Sequence, residues 1–268
     1  MKIPTWCPGC GDYMILAAIR KSLQELKIPS KDVLIVSGIG CGSKMPHYVK
    51  AYGFEGIHGR ALPVATGAKL ANNKLHIIVV AGDGDAYGIG GNHFLHSCRR
   101  NINLTYITQD NSVYGLTRGQ TSPTSPQGMK TNSTPFGALE QPVNPLTLAI
   151  TQGATFVSQG ASYNLKLADT IKQAIKHKGF SLVNVLQLCP SFNKHNDIQW
   201  FNKNTKQIKT QKNKYKAIEI AESSKLPLGV LYQIKRKTYD EQEPQISKTP
   251  LVKQSLKVNI NKMLNDFI

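Results

Sequence analysis

The sequence has 268 residues, of which 40% are hydrophobic, and it carries a formal net charge of +17 at pH 7. That length is enough for one large core, and no apolar run approaches the roughly 18 residues that span a bilayer, which argues against a membrane protein. The positive charge would suit nucleic acid, but the basic residues are spread along the chain, so we expect no nucleic-acid binding.

Helices and strands are predicted to alternate through the first 190 or so residues. Apolar residues at helical spacing and runs of small residues predict helices over 13–27, 63–72, 88–99 and 164–178. Short apolar runs predict strands over 33–36, 75–79, 102–108 and 182–188, of which we expect the last to be the final core strand. This alternation is typical of an α/β fold with a mostly parallel sheet flanked by helices.

Two later regions carry no regular pattern. Residues 118–145 are rich in Gly, Pro, Ser and Thr, and a loop of that length in a compact domain is usually functional, so we expect it to cover an active site or a partner interface. Residues 201–268 contain no motif and are predicted to be a C-terminal extension of a domain over 1–200. The extension either wraps the domain or a partner, or is simply solvated.

Polar residues follow two of the predicted strands at their carboxyl ends. Gly82-Asp83-Gly84-Asp85 comes after one strand, and Asn111 comes after the next. Ligands of open α/β sheets bind at this edge, and glycine lets the backbone approach a phosphate closely. Carboxylate and amide oxygens are also ligands that suit Mg2+. The spacing resembles the thiamine diphosphate motif, although a Gly-Asp-Gly turn alone is common in α/β proteins.

Four of the five cysteines lie beside Gly or Pro in turn-like segments. Cys7 and Cys10 form a Cys-x-x-Cys pair, and Cys41 and Cys189 follow singly, whereas Cys98 lies in a predicted helix and is expected to be buried. Four turn-borne thiols can converge on an iron–sulfur cluster or a zinc ion. A thioredoxin-like dithiol is disfavoured because no strand precedes the pair. Disulfides are disfavoured because we see no signal-peptide pattern and expect a cytoplasmic protein.

Taken together, five segments resemble the β subunit of the 2-oxoacid:ferredoxin oxidoreductases, the family that includes the pyruvate and 2-oxoglutarate enzymes. They occur in the family's order between about residues 4 and 200. The segments are Trp6-Cys7-Pro8-Gly9-Cys10-Gly11, Ile39-Gly40-Cys41-Gly42-Ser43-Lys44, His58-Gly59-Arg60-Ala61-Leu62-Pro63-Val64-Ala65-Thr66-Gly67, Gly82-Asp83-Gly84-Asp85 and Asp110-Asn111-Ser112-Val113-Tyr114-Gly115-Leu116-Thr117.

The resemblance implies cofactors and the residues that hold them. It implies a four-iron, four-sulfur (4Fe-4S) cluster on Cys7, Cys10, Cys41 and Cys189, and Mg2+ on Asp83, Asn111 and the carbonyl of Val113. It further implies that the domain over 1–200 binds thiamine diphosphate. The residues implied to line that site are Ile39, Gly40, Cys41, Gly42, His58, Gly59, Arg60, Gly84, Asp85, Gly115 and Leu116.

Three side chains are expected near the reacting end of the cofactor. His58 is a candidate polar contact, with a purely structural histidine as the alternative. Lys44 can pair with a substrate carboxylate or can be an ordinary surface lysine, and Leu116 can form an apolar wall. A cation in that place would favour 2-oxoglutarate over pyruvate because a desolvated charge pair is strong.

The implied function is the oxidative decarboxylation of a 2-oxoacid, with the acyl group passing to coenzyme A and the electrons passing through the cluster to ferredoxin. An acidic ferredoxin would suit this basic chain. Thiamine enzymes also use a glutamate, which no motif of this chain supplies. The resemblance therefore implies a heterodimer in which an α subunit, or α and γ subunits, completes the site. Two alternatives stay open, a non-oxidative thiamine diphosphate-dependent decarboxylase and a zinc-stabilised scaffold subunit.

Overall fold

A computed structural model describes residues 2–246, 249–255 and 259–265. The strands are β1 (Val33–Ser37), β2 (Tyr52–Glu55), β3 (His76–Gly82), β4 (Leu104–Asp110), β5 (Val113–Tyr114), β6 (Gln120–Thr121), β7 (Phe156–Ala161), β8 (Phe180–Leu186), β9 (Thr205–Gln207) and β10 (Leu226–Gln233). The helices are α1 (Asp12–Glu25), α2 (Met45–Tyr48), α3 (Ala61–Ala71), α4 (Gly91–Arg100), α5 (Pro145–Thr151), α6 (Leu167–Lys176), α7 (Ile198–Asn204), α8 (Lys214–Ala221), α9 (Tyr239–Gln242) and α10 (Ile260–Asn265).

The main sheet has eight strands in the order β2-β1-β3-β4-β8-β7-β10-β9. Neighbouring strands run parallel except β7 and β10, which are antiparallel, so the predicted mostly parallel α/β sheet is confirmed. The carboxyl ends of β1, β3, β4 and β8 therefore meet at one edge. β5 and β6 form a separate small hairpin beside that edge.

Helices cover both faces of the sheet because each presents an apolar stripe. On one face α1 packs on α6, with Ile15 and Ile19 of α1 and Ile171 of α6 fully buried in one cluster. On the other face α3, α4, α5 and α8 bury residues such as Leu62 and Phe94 against β3 and β4. The core thus lies in two layers, and the carboxyl edge of the strands remains open between them.

Two features differ from the sequence-based expectation. The strand over 182–188 is not the last core strand, because β10 follows it and pairs with β7. The predicted boundary at residue 200 falls inside α7, and strands on both sides of it belong to the same sheet. The division of the chain into a domain over 1–200 and an extension over 201–268 stays a prediction. Within the described residues, no helix is both long and apolar enough to cross a bilayer.

Candidate functional site: a cavity beside four thiols

A cavity of about 250 Å³ opens at the carboxyl edge of β1, β3, β4 and β8. The turns that follow these strands supply most of its wall, as expected for a ligand site in an open α/β sheet. The lining residues are Ile39, Gly40, Cys41, Gly42, His58, Gly82, Asp83, Gly84, Asp85, Gln109, Asn111, Val113, Tyr114, Gly115, Leu116, Thr117 and Gln187.

One corner of the cavity holds the predicted Mg2+ ligands Asp83, Asn111 and Val113. The Asn111 amide oxygen accepts a hydrogen bond from the Val113 amide at 3.1 Å, which fixes the turn that brings the two residues together. Burial, and then the nearby Asp110 carboxylate, raise the pKa of Asp83 to about 7. A divalent cation would offset that cost, so the oxygen donors present here fit Mg2+.

Asp85 holds two glycine-rich turns together. It is 3% exposed, and its Oδ1 accepts hydrogen bonds from the backbone amides of Ile39 at 2.9 Å and Gly59 at 2.7 Å. The Nδ1 atom of His58 lies 2.7 Å from the same oxygen. Three contacts on one carboxylate oxygen fix the positions of both turns around the cavity. Asp85 therefore fixes the position of the turns that form this part of the cavity wall.

Glycine is required at two positions in the turns that line the cavity. A Cβ atom on Gly84 would lie 2.2 Å from the Tyr114 ring, a distance that real side chains do not show. Gly40 has φ +125°, a conformation that L side chains rarely adopt. Gly84 begins a π-helical turn, Gly84–Ile89, and such turns occur often at functional sites. Gly40 and Gly84 both line the cavity, and turns built of glycine fit a diphosphate because no side chain keeps it away from the backbone.

One of the four turn-borne cysteines, Cys41, lines the same cavity, and the other three lie near it. A Cβ atom on Gly115 would lie 3.6 Å from the Cys41 sulfur and 3.8 Å from the Cys189 sulfur, so both thiols border one small space. Cys7 interacts electrostatically with both of these thiols, and Cys10 with Cys41. Cys98 is fully buried in the core among apolar residues of the other face.

Hydrogen bonds hold the cysteine turns against one another. The Trp6 indole donates to the Cys41 carbonyl at 2.7 Å, and the Gly11 amide donates to the Leu188 carbonyl at 2.9 Å. These contacts join the Cys-x-x-Cys segment to the turns of Cys41 and Cys189. Among the described residues, no three His, Cys, Asp or Glu side chains are grouped as one metal ion requires. Cysteine thiols held together in this way fit an iron–sulfur cluster, which thiolates bind.

The surroundings of three of the four thiols raise their pKa values. Burial, followed by the charge of Asp12, raises the pKa of Cys10 well above its usual value and that of Cys41 to about 11. Burial raises the pKa of Cys189 as well. Thiolates in this place need a positive partner, and the iron of a cluster is such a partner.

Asp12 is a buried carboxyl group beside these thiols. Desolvation raises its pKa to about 7, while hydrogen bonds from Cys10 and Gln187 and the positive charge of Lys44 act in the opposite direction. The Cys10 thiol donates to Asp12 Oδ2 at 3.5 Å. The sequence analysis did not single out Asp12.

Most of the predicted cofactor residues line the cavity, but Gly59 and Arg60 do not, and neither does Lys44, which was expected near the substrate. The Lys44 ammonium donates to the Thr5 hydroxyl at 3.3 Å and acts electrostatically on Cys41 and Asp12, on the cysteine side of the turn. Gly59 contributes its amide to Asp85, and the Arg60 guanidinium faces the carbonyls of Gly59 and Ile89 at 3.4 and 3.5 Å. Leu116 and His58 do line the cavity.

The structure adds lining residues that the sequence analysis missed, above all Gln109 and Gln187. Gln109 is 1% exposed at the end of β4, and neither atom of its amide has a hydrogen-bond partner within the described residues. Such an orphaned polar group at a cavity wall is expected where a ligand completes its bonding. Gln109 directly follows the predicted strand over 102–108, at the sheet edge where ligands bind, and this position was the available signal in the sequence.

Comparison with known families agrees with this geometry. The family described as "Thiamine pyrophosphate enzyme, C-terminal TPP binding domain" matches residues 38–185, which include the cavity turns. The family described as the C-terminal part of the pyruvate ferredoxin oxidoreductase beta chain matches residues 189–248. The chain belongs to the β subunits of the 2-oxoacid:ferredoxin oxidoreductases. The second match begins at Cys189 and includes β10, which explains why this region completes the sheet.

Individual relatives carry the same family name. The chain is 49% identical over 201 residues to "2-oxoacid:ferredoxin oxidoreductase subunit beta" of Saccharolobus solfataricus, covering 74% of this chain and 66% of the relative. It is 50% identical over 189 residues to "2-oxoglutarate oxidoreductase subunit KorB" of Mycobacterium tuberculosis, covering 70% and 51%. The chain thus spans about half to two thirds of these relatives' lengths.

A solved structure matches nearly the whole chain. It is the "2-oxoglutarate:ferredoxin oxidoreductase from Magnetococcus marinus with 2-oxoglutarate, coenzyme A and succinyl-CoA bound". The TM-score is 0.93 at 38% sequence identity, and the match covers 98% of this chain and 92% of that one. The match therefore extends well past residue 200, into the part of the chain that carries no motif.

Proposed function

We propose that this chain is the β subunit of a coenzyme A-dependent 2-oxoacid:ferredoxin oxidoreductase, with thiamine diphosphate, Mg2+ and a 4Fe-4S cluster. The observation that carries the proposal is the shared wall between two sites. Gly115 lines the cavity that contains Asp83 and Asn111, and it also borders the thiols of Cys41 and Cys189. A non-oxidative decarboxylase would have no need for thiols beside its cofactor.

When bound, thiamine diphosphate supplies the carbon nucleophile that attacks a 2-oxoacid, and an iron–sulfur cluster accepts electrons one at a time. The chain's own residues would position these cofactors and bind the Mg2+ that neutralises the diphosphate. Asp83, the Asn111 amide oxygen and the Val113 carbonyl would bind Mg2+, and the backbone at Gly84 would approach the diphosphate. Asp85 would hold the turns of Ile39 and Gly59 in place at the wall of the cavity.

The open side of the cavity supports the need for a partner. Ile39 and Leu116 line the cavity and are 39% and 50% exposed, so part of its apolar wall faces solvent. No glutamate is found among the described residues that line it. We propose that an α subunit, alone or with a γ subunit, covers this wall and supplies the glutamate.

The electron carrier would meet the chain on the cysteine side. Cys7 is exposed, unlike the buried Cys10 and Cys189, so the outer face of the cluster would lie nearest to solvent there. The net charge of +17 would favour an acidic ferredoxin by speeding the encounter at low salt. Lys44 acts electrostatically on Cys41 in the structure, so we assign its charge to the cluster side and not to a substrate carboxylate.

The substrate proposed first is 2-oxoglutarate, because two relatives bear names that specify this acid: those of Mycobacterium tuberculosis and Methanocaldococcus jannaschii. The second of these is 42% identical to this chain over 188 residues. Pyruvate is the comparison substrate. The assay follows the reduction of a viologen dye with each acid, in the presence and absence of coenzyme A.

The test of the cofactors uses the complex produced anaerobically with its partner subunit and five single Cys→Ser variants. Iron and sulfide are measured together with the visible spectrum before and after dithionite. We expect variants of Cys7, Cys10, Cys41 and Cys189 to lose most of the iron and most dye reduction. Cys98→Ser is the matched control and should keep both, because Cys98 is buried away from the other thiols.

Three results would contradict the proposal. Zinc in place of iron would favour the scaffold alternative, and full dye-independent decarboxylation in the cluster-free variants would favour a non-oxidative decarboxylase. Loss of the cluster in Cys98→Ser, with retention in Cys189→Ser, would overturn the ligand assignment.

A further inference from the structure

Gln187 lies between the two proposed cofactor sites and contacts both. It follows β8 directly and is 2% exposed. Its Oε1 accepts a hydrogen bond from the Asn111 amide at 2.9 Å, and its Nε2 donates to the Cys10 sulfur at 3.7 Å. One buried side chain thus joins a proposed Mg2+ ligand to a proposed cluster ligand.

The position of Gln187 is fixed on all sides. Its backbone amide donates to the Asp110 carbonyl at 2.8 Å, which continues the pairing of β4 with β8. Its side chain packs on Gly11, where an added Cβ atom would lie 2.9 Å from Gln187 Cγ. Glycine in the Cys-x-x-Cys-Gly segment therefore makes room for this side chain. The amide has little freedom to rotate away from its two partners.

The chemistry of the sulfur determines which way the two amides face. A thiolate accepts hydrogen bonds and cannot donate them, so the NH2 group of Gln187 must face Cys10 once the cluster is bound. Its oxygen is then directed to Asn111, which must present its own NH2 group in return. The Asn111 oxygen, which accepts from the Val113 amide at 3.1 Å, then faces away from Gln187 and keeps a second lone pair for Mg2+.

We propose that Gln187 is a positioning residue that couples the two sites, orienting the Asn111 oxygen toward Mg2+ and donating a hydrogen bond to the Cys10 thiolate. This inference rests on the proposed function. Hydrogen bonds to cluster sulfurs stabilise the reduced, more negative form and raise the reduction potential. Removing the amide should therefore lower the potential and weaken the binding of thiamine diphosphate with Mg2+.

The experiment uses the anaerobic complex with its partner and three variants. Gln187→Met keeps the side-chain length and removes both polar contacts. Gln187→Glu keeps an acceptor for Asn111 and removes the amide donor to Cys10. Gln159→Met is the matched control, because Gln159 is also a buried glutamine in the sheet but bonds to Pro227 and Asn184 instead.

Two quantities are measured, the cluster potential by a redox titration followed by electron paramagnetic resonance, and the thiamine diphosphate dissociation constant at fixed Mg2+. For Gln187→Met we expect the equilibrium constant for cluster reduction to fall about tenfold, which is about 59 mV, and the dissociation constant to rise about tenfold. For Gln187→Glu we expect the lower potential with nearly unchanged affinity. Gln159→Met should change neither quantity.

A Gln187→Met complex in which only one of the two quantities changes, or neither, would overturn the coupling. The same would follow if Gln159→Met reproduced both changes, because general loosening of the sheet would then explain them. If Gln187→Met fails to assemble, an unchanged potential in Gln187→Glu overturns the proposal. Failure of the proposed function looks different: the unaltered complex would then contain no iron or bind no thiamine diphosphate.

Discussion

At the scale of single residues, Asp85 is the side chain that holds the turns of the cavity together. Its Oδ1 accepts from the amides of Ile39 and Gly59 and contacts His58, so three parts of the cavity wall depend on it. Asp85→Asn would replace a charged acceptor by an amide whose NH2 group repels the same donors in one of its two orientations. Hydrogen bonds to a charged group contribute about 1.5–3 kcal/mol each.

We therefore expect Asp85→Asn to weaken thiamine diphosphate binding by tenfold or more, about 1.4 kcal/mol. Isothermal titration of the complex with the cofactor and Mg2+ measures this change. Asp240→Asn is the control, since Asp240 is also buried and accepts from the Asn103 amide at 3.3 Å, away from the cavity. Normal cofactor affinity in Asp85→Asn would show that the turns keep their positions without the carboxylate.

His177 gives a prediction about pH. Burial lowers its pKa from 6.5 to about 4, and its Nε2 lies 2.7 Å from the Thr155 hydroxyl. Lys176 and Lys178 line a second cavity together with His177, away from the candidate site. Because the unfolded chain binds a proton at this histidine more readily than the folded chain, acid favours unfolding as the pH falls from about 6.5 to 4.

His177→Gln should remove this contribution to acid sensitivity. Compared with the unaltered protein, the variant should lose about 1 kcal/mol less unfolding free energy between pH 7 and pH 5, after allowance for screening of a half-buried ring. The comparison with the unaltered protein is needed because Asp12 and Asp83 are present in both proteins. Their raised pKa values make the folded state more stable as the pH falls, which is opposite to the effect of His177. Urea unfolding at both pH values measures it, with the exposed His195→Gln as the control. Parallel pH profiles would contradict the prediction.

At the scale of elements, the loop over 118–145 packs directly on the proposed metal site. The hydroxyls of Ser122 and Thr124 donate to Asp83 Oδ2 at 2.5 and 2.7 Å, and Thr124 Oγ1 also lies 2.7 Å from Asp110 Oδ1. Ser125 donates to the Ser112 carbonyl at 2.6 Å. The loop therefore separates two buried carboxylates and closes one side of the site.

Thr124→Val keeps the shape of the side chain and removes the hydroxyl between the two carboxylates. We expect the affinity for Mg2+ and thiamine diphosphate to fall several-fold to tenfold, about 1–1.4 kcal/mol, because Asp83 loses a partner that fixes its orientation. Thr134→Val is a matched control in the same loop, whose hydroxyl bonds to Thr121 and Thr131 instead. Equal effects of the two substitutions would mean that the loop acts only through its general stability.

The elements also show what the sequence could and could not predict. The parallel strands that carry the motifs were predictable because each is a short apolar run followed by a turn with a recognisable motif, as at β3 and β4. β10 was missed because Pro227 and Gly229 interrupt its pattern, and Gly229 has φ +118° next to an irregularity in the pairing with β7. Such residues break strand patterns locally, and only the neighbouring strands make the segment a strand.

The same distinction applies to the site. Asp83, Asn111 and the cysteines lie in turns whose glycines and spacing are visible in the sequence. The contact of Gln187 with Asn111 depends instead on the register in which Asp110 pairs with Leu186, and sequence spacing does not reveal a register. Lys44 was expected near the substrate because it follows Cys41 closely, but the short helical turn Cys41–Lys44 directs its ammonium to Thr5.

At the scale of the whole molecule, the core and the candidate site differ in how much of each this chain encloses. Its strands and helices bury a hydrophobic core on each face of the sheet. The cavity differs, since its apolar wall at Ile39 and Leu116 is exposed and the described lining residues include no glutamate. Folding and activity should therefore separate when the chain is produced alone.

We expect the purified single chain to be folded, with a cooperative thermal transition, and to hold an iron–sulfur cluster when reconstituted, because the four thiols come from this chain. It should reduce no viologen dye with 2-oxoglutarate, pyruvate and coenzyme A, because the glutamate that activates thiamine diphosphate has to come from the partner. Mixing with the separately purified partner subunit should restore turnover, with size-exclusion chromatography following assembly. The control is the same mixture made with the Asp83→Asn chain, which should assemble without activity. Turnover by the single chain at a rate near that of the mixture would contradict the half-site arrangement, because every catalytic group would then have to lie on this chain.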